Sequence, residues 1–305
     1  MASVSPARTI LQRLFDRPYL LLILTSVFWS GNAVVGRYAA GDIPPVTLAF
    51  IRWGGAFAIT LPFAWSYLKR DWPTIRQNLG VMIVISVVGI GAFNTLQYWA
   101  LEYTQAINVL LLQSAGPLFI AMWSLLLLGV RLTWMQAIGI ALSMIGVLVI
   151  LLHGNIGELA HLQFNKGDVI FTCALAIFGY YSVMVLKRPA IHGLSFLAFT
   201  FGCGALCLVP LLALELSLRP VMQVTIPNLL ALFYVVVFPS TLAYPCYNRG
   251  VELIGANRAA PFAHLVPLFG TVLAIVFLGE RMHLFHVAGF LLVISGVYIA
   301  ARKPR

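Results

Sequence analysis

Ten times along the chain an apolar run of roughly 20 residues, the length that crosses a hydrocarbon core as a helix, ends in a short polar or charged turn. The runs fall at 18–39, 44–68, 79–100, 104–129, 134–153, 168–187, 193–216, 227–250, 255–279 and 283–301. A soluble domain cannot be written this way: 61% of the 305 residues are hydrophobic and only 9% are charged, where a soluble chain carries about a quarter charged. The expected fold class is therefore an all-α integral membrane protein with ten transmembrane helices.

The breaks carry turn chemistry, as in GDIPP (41–45), KRDWP (69–73), LEYTQ (101–105), GVRLT (129–133), KRP (187–189) and GERMH (279–283). Residues 1–17 form a basic amino-terminal segment, and the apolar run after it is too long for a signal-peptide core, so a retained helix is expected. The formal charge of +10 would suggest nucleic acid in a soluble protein, but here the basic residues occupy short gaps between apolar runs. No nucleic-acid partner is expected. If both ends face the cytoplasm, only Arg37, Arg52, Lys166, Arg219 and Arg281 are left for the membrane or the other side, and the remaining 14 of the 19 basic residues lie inside. The positive-inside rule therefore places the chain in the cell (inner) membrane, multi-pass, with both termini cytoplasmic. Cys173, Cys203, Cys207 and Cys246 all fall within apolar runs and read as small buried thiols with no disulfide framework. HLFH at 283–286 has no acid or cysteine cluster beside it, so no metal site is expected.

AGPLFIAMWSLLLLGVR (115–131) and LVPLFGTVLAIVFLGER (265–281) align with a constant offset of 150. From Glu102 to Val147 the same gapless shift gives about a dozen identities, Glu102 with Glu252 and Gly139 with Gly289 among them. The chain is duplicated. Each half, 18–153 and 168–301, holds five helices around the connection 154–167; because five is odd, the second half must enter the membrane upside down. Two inverted five-helix repeats are a ground plan of secondary transporters, whose site lies near the midplane where the halves meet.

WSGN (Trp29 to Asn32), PPVTLAFIRW (Pro44 to Trp53), the GPLF and VPLF helices and LGERMHLFHVAGFLLVISGVYI (Leu278 to Ile299) together resemble the drug/metabolite transporter superfamily, in its EamA-type branch of two EamA repeats. The second repeat has FGYY (178–181) where the first has WSGN, and the first has Val130 where the second has Glu280. The resemblance implies ATP-independent export or exchange of small metabolites, amino acids or toxic amphiphiles. Consistently, no P-loop pattern occurs, and no cofactor is expected.

Polar side chains at helix centres are costly unless they face a bundle interior or water, so they mark a candidate wall. Asn94, Gln97 and Tyr98 share one face of the third helix, and the 150-residue shift maps them onto Tyr244, Tyr247 and Asn248 in the eighth. Trp29 and Asn32, Asn108, Gln113 and Ser114, Tyr180 and Tyr181, and His264 complete the expected cavity. For single amides such as Asn32, Asn94 or Gln113, interhelical packing is the equal alternative. Pro117 and Pro267 read as helix kinks whose freed carbonyls face a wet centre. Arg52, about two turns into its helix, needs a partner or a route to water; Asp42, Glu102 or Glu280 would supply an ion pair or gate, and direct binding of an anionic substrate is the alternative. Aromatic rings with amides suit amphiphilic metabolites, amino acids foremost; apart from Arg52 the expected core lacks the basic residues that phosphorylated substrates would need. The partners expected are a small-molecule substrate and the lipid bilayer, with a monomer as the working unit. No converging nucleophile, base or metal set argues for an enzyme, which leaves a non-transporting scaffold as the other class. His264 is the one deep titratable group, and burial would keep it neutral, which favours facilitation or exchange over proton antiport.

Overall fold

A computed structural model describes residues 15–104, 109, 112, 113, 115–152, 155, 157, 165–278 and 284–302, and the described chain is helical with no strand. In chain order the main helices are α1 (Pro18–Ala39), α2 (Pro45–Gln77), α3 (Leu79–Tyr103), α4 (Gly116–Leu128) and α5 (Trp134–Leu151), then α6 (Lys166–Lys187), α7 (Gly193–Leu218), α8 (Ile226–Ile254), α9 (Leu265–Leu278) and α10 (Leu284–Ala301). Six of them, α1, α2, α3, α6, α7 and α8, are long and apolar enough to cross a bilayer, while α4, α5 and α10 contain shorter apolar helices. Backbone groups inside lipid have no water to bond, so the helix, which satisfies them internally, is the available solution.

The helices pair across the repeats, and the pairs run antiparallel. In α5 and α10, Gly139 faces Gly296 and Gly146 faces Gly289. A Cβ added at Gly139 would lie 2.5 Å from the Gly296 carbonyl oxygen, so only glycine lets these backbones approach. Because 139 maps to 289 and 146 to 296 under the duplication, this contact exchanges with itself when the halves are swapped. The equivalent helices α2 and α7 also cap each other, by carboxylates that stand at different places in the two repeats. The Glu215 carboxylate, near the end of α7, accepts from Val46 N (2.9 Å), Thr47 N (2.7 Å) and Thr47 Oγ1 (2.9 Å) at the start of α2. Asp71, near the end of α2, accepts from His192 N (2.8 Å) and Ser195 Oγ (2.8 Å) at the start of α7. A helix start leaves N–H groups unpaired and carries partial positive charge, so each carboxylate answers both needs of the opposite helix. Burial and the neighbouring Arg70 together hold the His192 imidazole below its ordinary pKa, against the opposing pull of Asp71.

Several expectations are corrected here. KRDWP does not end the second helix, which continues through Pro73 to Gln77 because the docking of Asp71 on α7 holds that turn. Pro117 is not a mid-helix kink. It lies in the first turn of α4, where the N–H that proline lacks needs no intrahelical partner. Pro267 lies in the first turn of α9, directly after the 3₁₀ segment Ala260–His264, where the ladder already changes pitch. The cysteines are free thiols but not buried: Cys173 and Cys207 are exposed on the bundle surface and Cys203 and Cys246 are half-buried. The irregular backbone lies elsewhere, in two π-helical segments, Ser86–Ala92 in α3 and Val237–Leu242 in α8, which coincide under the 150-residue shift.

The glycine contact predicts that Gly139→Leu or Gly296→Leu lowers the thermal midpoint of the detergent-solubilised protein, by the equivalent of about 1–3 kcal/mol or more. Gly54→Ala, at a helical glycine with no heavy atom within 4 Å of an added Cβ, should not lower the midpoint and should raise it slightly through helix propensity.

Candidate functional site

The two π segments bring their following turns face to face at the centre of the bundle. Asn94 Nδ2 donates to Tyr244 OH at 3.1 Å, so a residue touches its own duplicate and the pseudo-twofold axis passes between them. WSGN and FGYY align at an offset of 149, and the rings of Trp29 and Phe178, again equivalents, meet edge to face with centroids 5.6 Å apart. Tyr244 and Tyr247 pack on Trp29 at 5.7 and 5.0 Å, and Phe93 packs on Phe178 at 4.7 Å.

These residues enclose a void of about 30 Å³ lined by Trp29, Asn32, Arg52, Phe93, Asn94, Gln97, Gln113, Gly116, Ile120, Leu175, Phe178, Tyr244 and Ala263. That is room for a water molecule or so, whereas small-molecule sites measure roughly 300–1,000 Å³. The conformation is closed. On the side of the void away from Tyr19 and Ala301, which lie together at one end of the bundle, Tyr98 OH donates to Asn32 Oδ1 at 2.9 Å. On the near side Tyr181 OH donates to Asn248 Oδ1 at 2.8 Å. Asn32 corresponds to Tyr181 and Tyr98 to Asn248, so one tyrosine–asparagine lock is the duplicate of the other with the roles exchanged. Beside them, Asn32 Nδ2 donates to Gln97 at 3.3 Å and the Ser182 and Tyr247 hydroxyls are 2.7 Å apart. Beyond each lock lies an open vestibule. The far one, about 430 Å³, is bordered by the Glu102–Arg219 ion pair, and the near one, about 580 Å³, by Arg188, Arg249 and Glu252. Glu102 and Glu252 are equivalents, and the Glu102 carboxylate holds the Arg219 guanidinium above its usual pKa.

Arg52 is 1% exposed and borders the void. Its expected acid is not there: Glu102 pairs with Arg219, Asp42 lines the far vestibule, and Glu280 lies outside the described residues. Instead Nε donates to Ser240 Oγ (2.6 Å) and Nη2 to the Pro239 carbonyl (3.2 Å), while Nη1 faces Asn32 Oδ1 (3.0 Å), Asn94 Oδ1 (2.8 Å) and Tyr98 OH (2.7 Å). The π segment of α8 supplies two of these acceptors, since its widened turn turns the Pro239 carbonyl inward; Trp29 Nε1 uses the same oxygen at 3.0 Å. Arg52 also lies over the Trp53 ring at 4.6 Å.

The expected wall is thus partly assembled. Trp29, Asn32, Asn94, Gln97, Gln113 and Tyr244 border the void, Tyr98, Tyr181, Tyr247 and Asn248 sit in the locks or against the aromatic cluster, and Ser114 and Asn108 lie outside the described residues. Two residues are set apart. Tyr180 packs edge to face on Trp123 between α4 and α6, and His264 is fully buried with Nδ1 on the Ser143 hydroxyl of α5, away from the void. Phe178, Ser240 and Pro239 were not singled out from the sequence. Phe178 could have been found by its register with Trp29; a π segment leaves no such mark.

An inverted helical duplication that closes around a polar and aromatic void between its halves is the architecture of a membrane transporter. The chain belongs to the EamA-like transporter family, whose model matches residues 16–152 and 165–302. It is 30% identical over 287 residues to the uncharacterized transporter YyaM of Bacillus subtilis, covering 93% of both chains. It is 27% identical over 291 residues to an uncharacterized transporter of Archaeoglobus fulgidus, covering 94% of this chain and 98% of that one. At 24% identity over 283 residues, 92% of each chain, it is similar to a Streptantibioticus cattleyicolor protein named probable terminal-alkyne amino-acid exporter. A solved crystal structure shares the fold with a TM-score of 0.72 at 18% identity, over 93% of this chain and 96% of that one.

Tyr98→Phe removes an acceptor of Arg52 and the donor of the far lock, and should destabilise the protein by about 1–3 kcal/mol. Trp99→Phe, at the exposed neighbouring position, should stay within about 0.5 kcal/mol. Thermal unfolding in detergent compares the two.

Proposed function

We propose that the protein is an ATP-independent carrier of the cell (inner) membrane, with both termini cytoplasmic, that exports or facilitates passage of small amphiphilic metabolites, amino acids foremost, through the central void. The observation that carries this reading is the void itself, closed on either side by locks that the duplication relates. Parting one lock at a time would expose the same site to either vestibule, which is what alternating access requires. Apolar rings and neutral amides make a lining for an amphiphile. The amino-acid exporter among the relatives favours the same class. Reconstitution into liposomes with a screen of labelled amino acids and related metabolites tests it: flux of at least one is expected, and flux of none overturns it. Gln113→Ala, half-buried on the void wall, should reduce that flux without loss of folded protein.

The driving force is expected to be the substrate's own gradient. No described carboxylate borders the void, and the acids near it serve helix starts and end-of-bundle ion pairs. Flux into proteoliposomes should therefore be the same with and without an imposed pH gradient, in wild type and in His264→Gln. Acceleration by the gradient in the wild type, lost in the variant, would instead make His264 the proton carrier.

A further inference from the structure

We propose that Arg52 is the residue that binds the carboxylate of the transported molecule, and that the site prefers a net-negative monocarboxylate with an apolar tail over a zwitterion. The inference rests on the carrier reading and narrows its substrate class, setting amphiphilic monocarboxylate anions ahead of the amino acids. Arg52 is buried on the wall of the void, beside the far lock, and every acceptor around it is neutral: two amide oxygens, two hydroxyls and one backbone carbonyl. These meet four of its five N–H groups without cancelling its charge, and an uncancelled cation in a low-dielectric interior is costly. Among the described residues no carboxylate reaches it.

The fold itself does not demand the charge. TLAFIRWGG (47–55) aligns with FLAFTFGCG (196–204) through the shared LAF, which sets Phe201 opposite Arg52. Phe201 fills the equivalent place in α7 with an apolar ring, fully buried against Trp53 and Tyr244. One repeat thus builds its core with a phenylalanine where the other carries a guanidinium, so a packing role leaves the charge unexplained.

The local geometry also suits exchange. Nη1 carries two protons and faces three acceptors within 3.0 Å, so one of them is surplus. A carboxylate oxygen entering from the void makes the stronger, charge-assisted bond and can replace a neutral acceptor. Charge balance then sets the preference. A monoanion on Arg52 makes a neutral pair, whereas a zwitterion leaves one net positive charge and an ammonium that no described acid on the void wall can meet. The tail would lie on the rings of Trp29, Phe178 and Tyr244.

The test is a matched ligand series on the full-length protein in detergent: 4-methylpentanoate (anion), leucine (zwitterion) and 4-methylpentanamide (neutral), read by tryptophan fluorescence and thermal shift. The anion should bind about tenfold or more tightly than the amide, and more tightly than leucine. Arg52→Gln should abolish the preference for the anion, and Arg52→Lys should retain part of it. Should Arg52→Gln fail to fold, the wild-type series decides alone. Equal binding of amide and anion, tighter binding of leucine, or an unchanged preference in folded Arg52→Gln would overturn the proposal. Flux in liposomes separates this from the carrier reading: transport without the charge preference sinks only the carboxylate site, and the preference without transport of any solute sinks only the carrier.

Discussion

A helical repeat that packs against its own inverted copy must satisfy one constraint before any other: elements that pair across the two copies run antiparallel, and contacts near the axis recur with their partners exchanged. The glycine crossing of α5 with α10 meets this constraint by self-exchange, and the equivalent helices α2 and α7 meet it by capping each other's starts in antiparallel sense. Near the axis the rule becomes tighter still, because residues there must tolerate their own duplicates as neighbours. Asn94 on Tyr244 and Trp29 on Phe178 show how the chain complies. After duplication each pair has diverged to unlike partners, an amide with a phenol and an indole with a phenyl ring, which fit one another better than two copies of either would.

The constraint also explains where backbone irregularity is allowed. In lipid a broken helical ladder is tolerated only where protein covers it, and both π segments lie at the interior crossing. There the freed carbonyls become acceptors. Pro239 serves Trp29 and Arg52, and the equivalent carbonyl of Gly89 takes the Tyr244 hydroxyl at 3.3 Å. The prolines of the GPLF and VPLF helices need no such cover, since they stand in first turns.

Much of this was legible in the sequence because it is periodic. Apolar run length gave the helices, a constant offset gave the duplication, and the i, i+3, i+4 spacing put Asn94, Gln97 and Tyr98 on a face that is indeed buried. What could not be read depends on which side chains meet across the bundle. An acid was expected beside Arg52 because a charge was counted and a carboxylate sought; the structure satisfies the same donors with amides, hydroxyls and a π-segment carbonyl. The acids themselves are spent at helix starts, as Asp71 and Glu215 are, or in the outer ion pairs of Glu102 and Glu252. His264 looked like a cavity residue for the same reason: depth along a helix is visible in a sequence, but azimuth is not when the segment around it is 3₁₀.

The two locks, alike by descent, are unequal in strength. Around the far one, Tyr98 and Asn32 bond to each other and both accept from the Arg52 guanidinium, and bonds to a charged group contribute about 1.5–3 kcal/mol against about 0.5–1.5 kcal/mol for neutral ones. The near lock has the neutral Tyr181–Asn248 bond, and the buried Asn248 Nδ2 finds no partner among the described residues, which costs about 1–3 kcal/mol. The departure from symmetry at position 52 therefore gives the duplicated scaffold one firmly held end and one loosely held end. An asymmetry of a few kcal/mol is enough to set which end of a two-state bundle parts first, because a minor state that differs by that much is still populated at the per cent level or below.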